Sequence, residues 1–444
     1  MRTLVEGFDP DQVALAELLA REGRRVTLAG GEAATPAARE VAAAGVTVFE
    51  RTTLGALAAG FDEAFLDVWT PEVAPSVAAL RAAGCRVRSL ADLVLERTPA
   101  PTVGVTGTAG KTTSAAFAVG LLRGCGLDVH ASTTARAGNL WPTTELLAPG
   151  GGVTVLELTS SHLCFTARSP SVAVVTSFWP DHLELHGSLE AYRAAKEAIV
   201  RHQTPADAVV ANADDADAVR IAEASPGRQL RFSARTEVAV GAHLRGGAVV
   251  LRDEDGEHAV ALPAGLDLPR TQAVLAAAAT ALALGVRPTR LDGLRPPPFR
   301  ATVVGRAGRV ELVDDAMAAT PAKTETTLRG RPDRSVVLVA GGELAIAGRA
   351  VHASDEEEAL LRSACREVER AAREVVLFGP AADRLEPLLG AVTVRRASSV
   401  ARAIADAGAH LRGLDALVVS PMFPLAQPVR ESVAPALGVL ANAE

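Results

Sequence analysis

Short apolar runs alternate along this chain with longer stretches whose apolar residues recur every three to four positions. In the first hundred residues the short runs are TLVEG, RRVTLAG, VTVFE, EAFLDV and RVRSL, separated by Ala- and Leu-rich stretches. Runs of that length predict strands and the stretches between them helices, a rhythm that joins parallel strands. Further on, PTVGVTG predicts a strand leading into a helix over TTSAAFAVGLLRGCG. VTVLELT and VAVVTS predict two more strands, and LEAYRAAKEAIVRH a helix. The last part predicts strands at SVVLVAGG, EVVLFG and ALVVSP, with helices beginning near Ser354 and Ser398. Two proline clusters, RTPAPT (97–102) and RPPPFR (295–300), interrupt the pattern where proline would break either element. The expectation is an α/β protein of three units in series: 1–98, 99–298 and 299–444.

Composition narrows the function classes. The 444 residues are 48% hydrophobic and 22% charged, enough to build packed cores and too apolar for a disordered chain. A net charge of −7 argues against nucleic acid as a partner. Four cysteines without CxxC spacing predict reduced thiols rather than a disulfide framework or zinc site. The N-terminus, MRTLVEGFDPD, carries acids where a signal peptide needs an apolar stretch, and the apolar run at 273–286 is too short to span a bilayer. The expectation is a cytoplasmic monomer, not inserted in a membrane, that acts on small molecules. Among 45 basic residues only Lys111, Lys196 and Lys323 are lysines. Arginine replaces lysine readily on a solvated surface, but not where a compact or deprotonatable amine is needed.

Lys111 falls in GVTGTAGKTT (104–113), between a predicted strand and helix. Its core, Gly107-Thr108-Ala109-Gly110-Lys111-Thr112 followed by Thr113, has the chemistry of a phosphate loop. Glycines turn backbone N–H groups inward, the helix dipole favours an anion, the lysine reaches phosphate, and a Thr112 hydroxyl can hold Mg²⁺. The strict Walker spacing is missed, because Val105 stands where its first glycine would be.

Lys196 follows Tyr192 by one helical turn and is expected to approach the interior. A buried amine tends to lose its proton, and a neutral amine can combine with CO₂ to give a carbamate, an oxygen ligand for a hard metal. Glu157 ends a strand that can neighbour the phosphate-loop strand, a usual place for a Mg²⁺-directing carboxylate. Asp181-His182 follows the strand VAVVTS.

Taken in order, these motifs resemble the Mur ligase family, whose layout here is similar to that of its D-glutamate-adding members. GTAGKTT resembles the family's phosphate loop, AGNLWP (137–142) its Gly-Asn segment and LELTSSHL its Glu-Leu-Ser-Ser strand. PDHLELHGSLEAYRAAK resembles its Asp-His-Leu-Asp and Tyr-x-x-Ala-Lys block, and VVANADD is also typical. The resemblance implies a Rossmann-like N-terminal domain, a central P-loop ATPase domain and a C-terminal Rossmann-like domain. It implies an ATP-dependent, ADP-forming amide ligase working through an acyl phosphate, with ATP and Mg²⁺, on a carboxylate acceptor and an amino acid. Glu157, His182, Thr112 and a carbamylated Lys196 would place the metal. Asn139 and Ser160 would lie by the acceptor, Arg300 near the γ-phosphate and Asp315 at the ribose.

Other positions depart from the family pattern. Met317 stands at a family lysine, AGGELAI lacks the lysine of its glycine-rich motif, and Leu425 replaces a serine that would hold the amino acid's carboxylate. LPRTQAVLA lacks the adenine-recognising asparagine, and Asp9 and Asp11 follow Gly7, all that remains of the diphosphate turn. Lys323 is assigned to the altered C-terminal substrate loop. Two alternatives stay open: a ligase joining a different acceptor and amino acid, and a nucleotide-binding paralogue that no longer ligates.

Overall fold

A computed structural model describes residues 1–30, 41–42, 45–49, 60–133, 138–147, 150–292, 294–346 and 349–442. Ala137, part of the expected Gly-Asn segment, lies outside them. Three sheets follow one another along the chain, each flanked by helices.

The first sheet has five strands, Arg2–Glu6, Arg25–Ala29, Thr47–Phe49, Glu63–Phe65 and Arg86–Arg88, in the spatial order third, second, first, fourth, fifth. Every pairing is parallel. The order therefore reverses between the first and fourth strands, and in such sheets the crevice beyond the strands' C-terminal ends at that point receives ligands. The five short apolar runs of the sequence are these five strands.

The second sheet has nine strands. The phosphate-loop strand Thr102–Thr106 lies between Val153–Glu157 and Val172–Val175, parallel to both. All three are buried along their whole length, as expected of parallel strands covered on both faces. Sequence periodicity did not announce the sheet's far edge, where Ala248–Asp253 and Gly256–Ala261 pair antiparallel around a charged turn.

The third sheet has six strands, with Val336–Gly341, Ala372–Phe378 and Ala416–Met422 at its centre. The hairpin Thr302–Ala307 and Val310–Asp314 forms its antiparallel edge. It too was absent from the sequence reading, because Gly305 and Arg306 interrupt its apolar alternation.

The residues cluster into two compact units, one of 1–179, 185–264 and 271–295, the other of 180–184, 265–270 and 296–444. The first unit contains the first two sheets. Phe165, between the second sheet's strands Val153–Glu157 and Val172–Val175, completes the core of Leu4, Ala64, Val77 and Leu80. The Ser89 hydroxyl donates to His162 O (2.9 Å), and Asp92 accepts from the Ala167 N–H (2.9 Å). Buried Arg88 donates to Asp92 at 2.6 Å and also pairs with Glu63 and Glu96, while Asp92 lies near Arg86 and Arg168, so the buried charges are compensated as a network. In the second unit, apolar clusters cover both faces of the six-stranded sheet. No helix among the described residues is long and apolar enough to cross a membrane.

Candidate active site

The loop after Thr102–Thr106 takes its shape from two glycines. Gly107 has φ +147°, and a Cβ there would stand 2.0 Å from Thr176 Oγ1. Gly110, at φ +82°, is the N-cap of helix Lys111–Gly124 and gives it no side-chain cap. The first-turn N–H groups of this helix are thus left for an anion, reinforced by the helix dipole. Thr176 and Ser177 clasp the loop from behind: the Thr108 N–H donates to Ser177 O and the Ala109 N–H to Ser177 Oγ, both 2.9 Å. The VVANADD motif holds that clasp. Asn212 donates to Thr176 O (3.0 Å), and Asp215 accepts from the Phe178 N–H (2.8 Å). Sequence reasoning missed Thr176 and Ser177; their only signal was a pair of hydroxyl residues ending a strand.

Lys111 Nζ donates to Gly107 O (2.9 Å) and Thr108 O (3.2 Å). Lys196, on helix Leu189–Arg201, is 1% exposed, as the one-turn spacing from Tyr192 led us to expect. Its Nζ donates to Gly107 O at 2.9 Å and lies 4.7 Å from the Tyr192 ring centroid. The Tyr192 hydroxyl in turn meets Thr108 Oγ1 at 3.0 Å. Two of the chain's three lysines therefore converge on one carbonyl of the phosphate loop.

Glu157 pairs in register with Val105, which brings its carboxylate beside the loop. It accepts from Thr112 Oγ1 at 2.8 Å and from the Leu140 N–H at 3.4 Å, and Thr112 Oγ1 lies 3.4 Å from Asn139 Oδ1. Glu157 is 3% exposed. Among the described residues no three His, Cys, Asp or Glu side chains cluster as a metal site. The donor set is instead a buried carboxylate, a hydroxyl and an amide oxygen. These hard donors fit a Mg²⁺ ion that takes its remaining ligands from water and phosphate.

Beyond Glu157, Thr159 and His162 form a reciprocal cap on the short helix Ser160–Leu163. Burial pushes the His162 imidazole down to about 3, so it is neutral and its Nδ1 accepts from the Thr159 N–H. Ser160 Oγ, fixed by that cap, meets His186 Nε2 at 3.0 Å.

His182, Arg300, Asp315 and Lys323 belong to the second unit. His182 has φ +55°; its N–H donates to Asp181 Oδ1 (3.0 Å), and its Nδ1 lies 3.2 Å from Glu184 Oε1. Arg300 stands between two residues of positive φ, Phe299 and Ala301. Arg270 donates to the carbonyls of Arg300 and Ala301, and the Ala301 N–H donates to Asp315 Oδ1 at 3.0 Å. Asp315 also accepts from Thr327 (2.7 Å) and Ser420 (2.8 Å), while burial pushes its carboxyl up to about 6. Asp315 is thus committed to the backbone that carries Arg300. Lys323 lies on helix Pro321–Leu328, half-buried.

Residues 105–265 match the model of the Mur ligase middle domain. The chain is 31% identical over 442 residues to a UDP-N-acetylmuramoylalanine–D-glutamate ligase of Symbiobacterium thermophilum, covering 95% of this chain and 92% of the relative. A ligase of the same name from Frankia casuarinae is 31% identical over 443 residues, covering 94% and 88%. Among solved structures, a type C pseudomurein peptide ligase of Methanothermus fervidus superposes with a TM-score of 0.62 at 16% identity, covering 99% of both chains. The MurF ligase of Thermotoga maritima, solved with ADP, gives 0.61 at 18% identity, covering 99% of this chain and 93% of that one. These two share the fold, the three-domain architecture of such ligases. Sequence likeness over nearly the full length, together with the lysine-rimmed phosphate loop and its buried carboxylate, means that the chain belongs to the Mur ligase family of ATP-dependent ligases.

Proposed function

We propose that this chain is an ADP-forming ligase that phosphorylates a carboxylate with ATP and joins the resulting acyl phosphate to the amine of an amino acid. Its parts would be 1–98 for the acceptor, 99–298 for ATP, and 299–444 for completing the site. The observation that carries the reading is the pairing of an uncapped phosphate loop with a buried Glu157 that accepts from Thr112. In the proposed mechanism the loop from Gly107 to Thr113 cradles the phosphates through the N–H groups of Lys111, Thr112 and Thr113, those of Thr108 and Ala109 being held by Ser177. Lys111 leaves the loop carbonyls for the β/γ-phosphates, and Arg300 stabilises charge developing on the γ-phosphoryl group. Thr112, Glu157, His182 and Lys196 as its carbamate would hold Mg²⁺, which supplies charge neutralisation on the phosphates. Asn139 and Ser160 would orient the acceptor, Asp315 would hold the Arg300 backbone beside the ribose, and Lys323 would serve the amino-acid loop. An acyl phosphate hydrolyses readily, so the acceptor and amine must meet with water excluded.

The substrates of the named relatives, UDP-N-acetylmuramoyl-L-alanine and D-glutamate, are the first pair to test. A different amino acid is favoured by Leu425, which packs against the apolar C-terminal core where a carboxylate-binding hydroxyl would stand. The experiment is phosphate release from Mg²⁺–ATP with carboxylate acceptors, with and without amino acids. Release that needs both substrates supports the reading, and none above background with any pair overturns it.

A further inference from the structure

We propose that the first-sheet turn at Gly7 rejects a diphosphate and instead receives a hydrogen-bond-donating, unphosphorylated part of the acceptor. This rests on the ligase reading and deepens it by naming the acceptor class. Gly7 follows the first strand and Asp67 follows the fourth, the two strands between which the sheet order reverses, so the ligand crevice opens here.

A phosphate at such a turn draws on the N–H groups of the helix N-terminus, and here that terminus has spent its own. The Gly7 N–H donates to Ala29 O at 2.9 Å. Pro10, at the start of helix Pro10–Arg21, has no N–H. The N–H groups of Asp11 and Gln12 both donate to Asp9 Oδ1, at 3.0 and 3.2 Å, and the Val13 N–H donates to Asp9 O. The helix N-terminus is thus filled by the chain's own carboxylate.

The space over Gly7 is filled as well. A Cβ at Gly7 would stand 2.6 Å from Asp67 Oδ2 and 3.1 Å from Gln12 Cγ. Asp67 accepts from the Trp69 N–H at 2.8 Å, and no basic residue pairs with Asp9 or Asp67 among the described residues. Burial, with the charges of Asp9 and Glu6, pushes the Asp67 carboxyl up to about 7. A second, independent observation points to what belongs here. Gln12 is 5% exposed, its Nε2 is committed to Leu66 O, and its Oε1 has no hydrogen-bond partner among the described residues. The turn therefore presents the Asp9 and Asp67 carboxyl groups, hydrogen-bonded to each other, and an amide oxygen that lacks a donor, where a diphosphate brings negative charge and only acceptors. A sugar hydroxyl or an ammonium group brings the missing donors.

The test follows the indole NMR signal of Trp69, whose side chain is exposed beside Asp67. The full chain is titrated separately with UDP, with N-acetylmuramoyl-L-alanine as a hydroxyl-bearing carboxylate, and with lysyl-alanine as an ammonium-bearing one. The expected result is no saturable shift with UDP and a saturable shift with one of the other two, weakened at least about tenfold in Gln12→Leu. The Asp9→Gly/Asp67→Asn double variant should gain at least about tenfold in UDP affinity. Saturable UDP binding by the unaltered chain, or no shift with either donor-bearing probe, overturns the proposal. Thermal stabilisation by Mg²⁺–ATP, measured in parallel, checks that each variant is folded. It also tests the nucleotide site separately, so failure of the ligase reading would be seen there and not at Trp69.

Discussion

Two turns in this molecule share one backbone plan, a buried parallel strand, a glycine of positive φ and a helix N-terminus, yet they present opposite surfaces. At Gly107 the helix that follows is uncapped and two lysines lie on the loop carbonyl. At Gly7 the helix opens with proline and is capped by Asp9, and Asp67 closes over the glycine. The topology supplies an anion site in both places. Side chains decide whether it is kept or cancelled, because a carboxylate at a helix N-terminus takes up the donors and the dipole that a phosphate would use.

The largest effect that would break this contrast lies with the lysines. Lys111→Ala and Lys196→Arg are each expected to lower acceptor-dependent phosphate release on the order of 10³-fold, the first by losing a phosphate cation and the second because guanidinium stays protonated. A fully active Lys196→Arg enzyme would refute the carbamate.

Gly107→Ala comes next. A Cβ 2.0 Å from Thr176 Oγ1, at φ +147°, is expected to cost about 1–3 kcal/mol of stability and to abolish stabilisation by Mg²⁺–ATP, both read by thermal melts. Gly7→Ala should destabilise less, because the atom it meets is the end of a side chain. Adding Asp67→Ala should recover part of the loss, whereas no nucleotide effect is expected at this turn.

The smallest expected effect is a pH dependence at Asp67. Its folded-state carboxyl titrates at about 7, above its ordinary value, so the unfolded chain releases that proton first as pH rises. Stability is therefore lost progressively between about pH 4 and pH 7. Asp67→Asn should remove that slope and stabilise the chain by about 1–2 kcal/mol at pH 8, with little change at pH 4. Equal gains at both pH values would show that the burial of Asp67 has no electrostatic cost.

Much of the phosphate site was legible because it is local. Gly107, Gly110, Lys111 and Thr112 occupy six consecutive residues, and the spacing from Tyr192 to Lys196 put the amine on a buried helix face. The strand rhythm likewise gave the first sheet and three strands each of the second and third, but not the strands at 129–130, 208–212, 228–233, 241–245 and 393–397 or the edge hairpins at 248–261 and 302–314. Little apolar alternation survives in those hairpins, because their register comes from pairing rather than burial.

The clasp was not legible. Thr176 and Ser177 reach the phosphate loop only because Val172–Val175 pairs beside Thr102–Thr106, and Asn212 and Asp215 support them from a further strand. Asp315 was expected at a ribose, and its three hydrogen bonds to Ala301, Thr327 and Ser420 became visible only once distant segments met.

By itself the sequence determined which backbone turns can bind an anion, since glycine placement, strand patterning and helix start are set within a few residues. It also singled out the scarce lysines, two of which the structure brings to the Gly107 carbonyl. Only the tertiary structure decided how each turn is used. Asp67 lies 60 residues from Gly7 in the chain, yet parallel pairing of Thr3–Val5 with Glu63–Phe65 sets it over that glycine. Whether a helix N-terminus faces a substrate or its own protein's carboxylate depends on such long-range register, which no local pattern encodes.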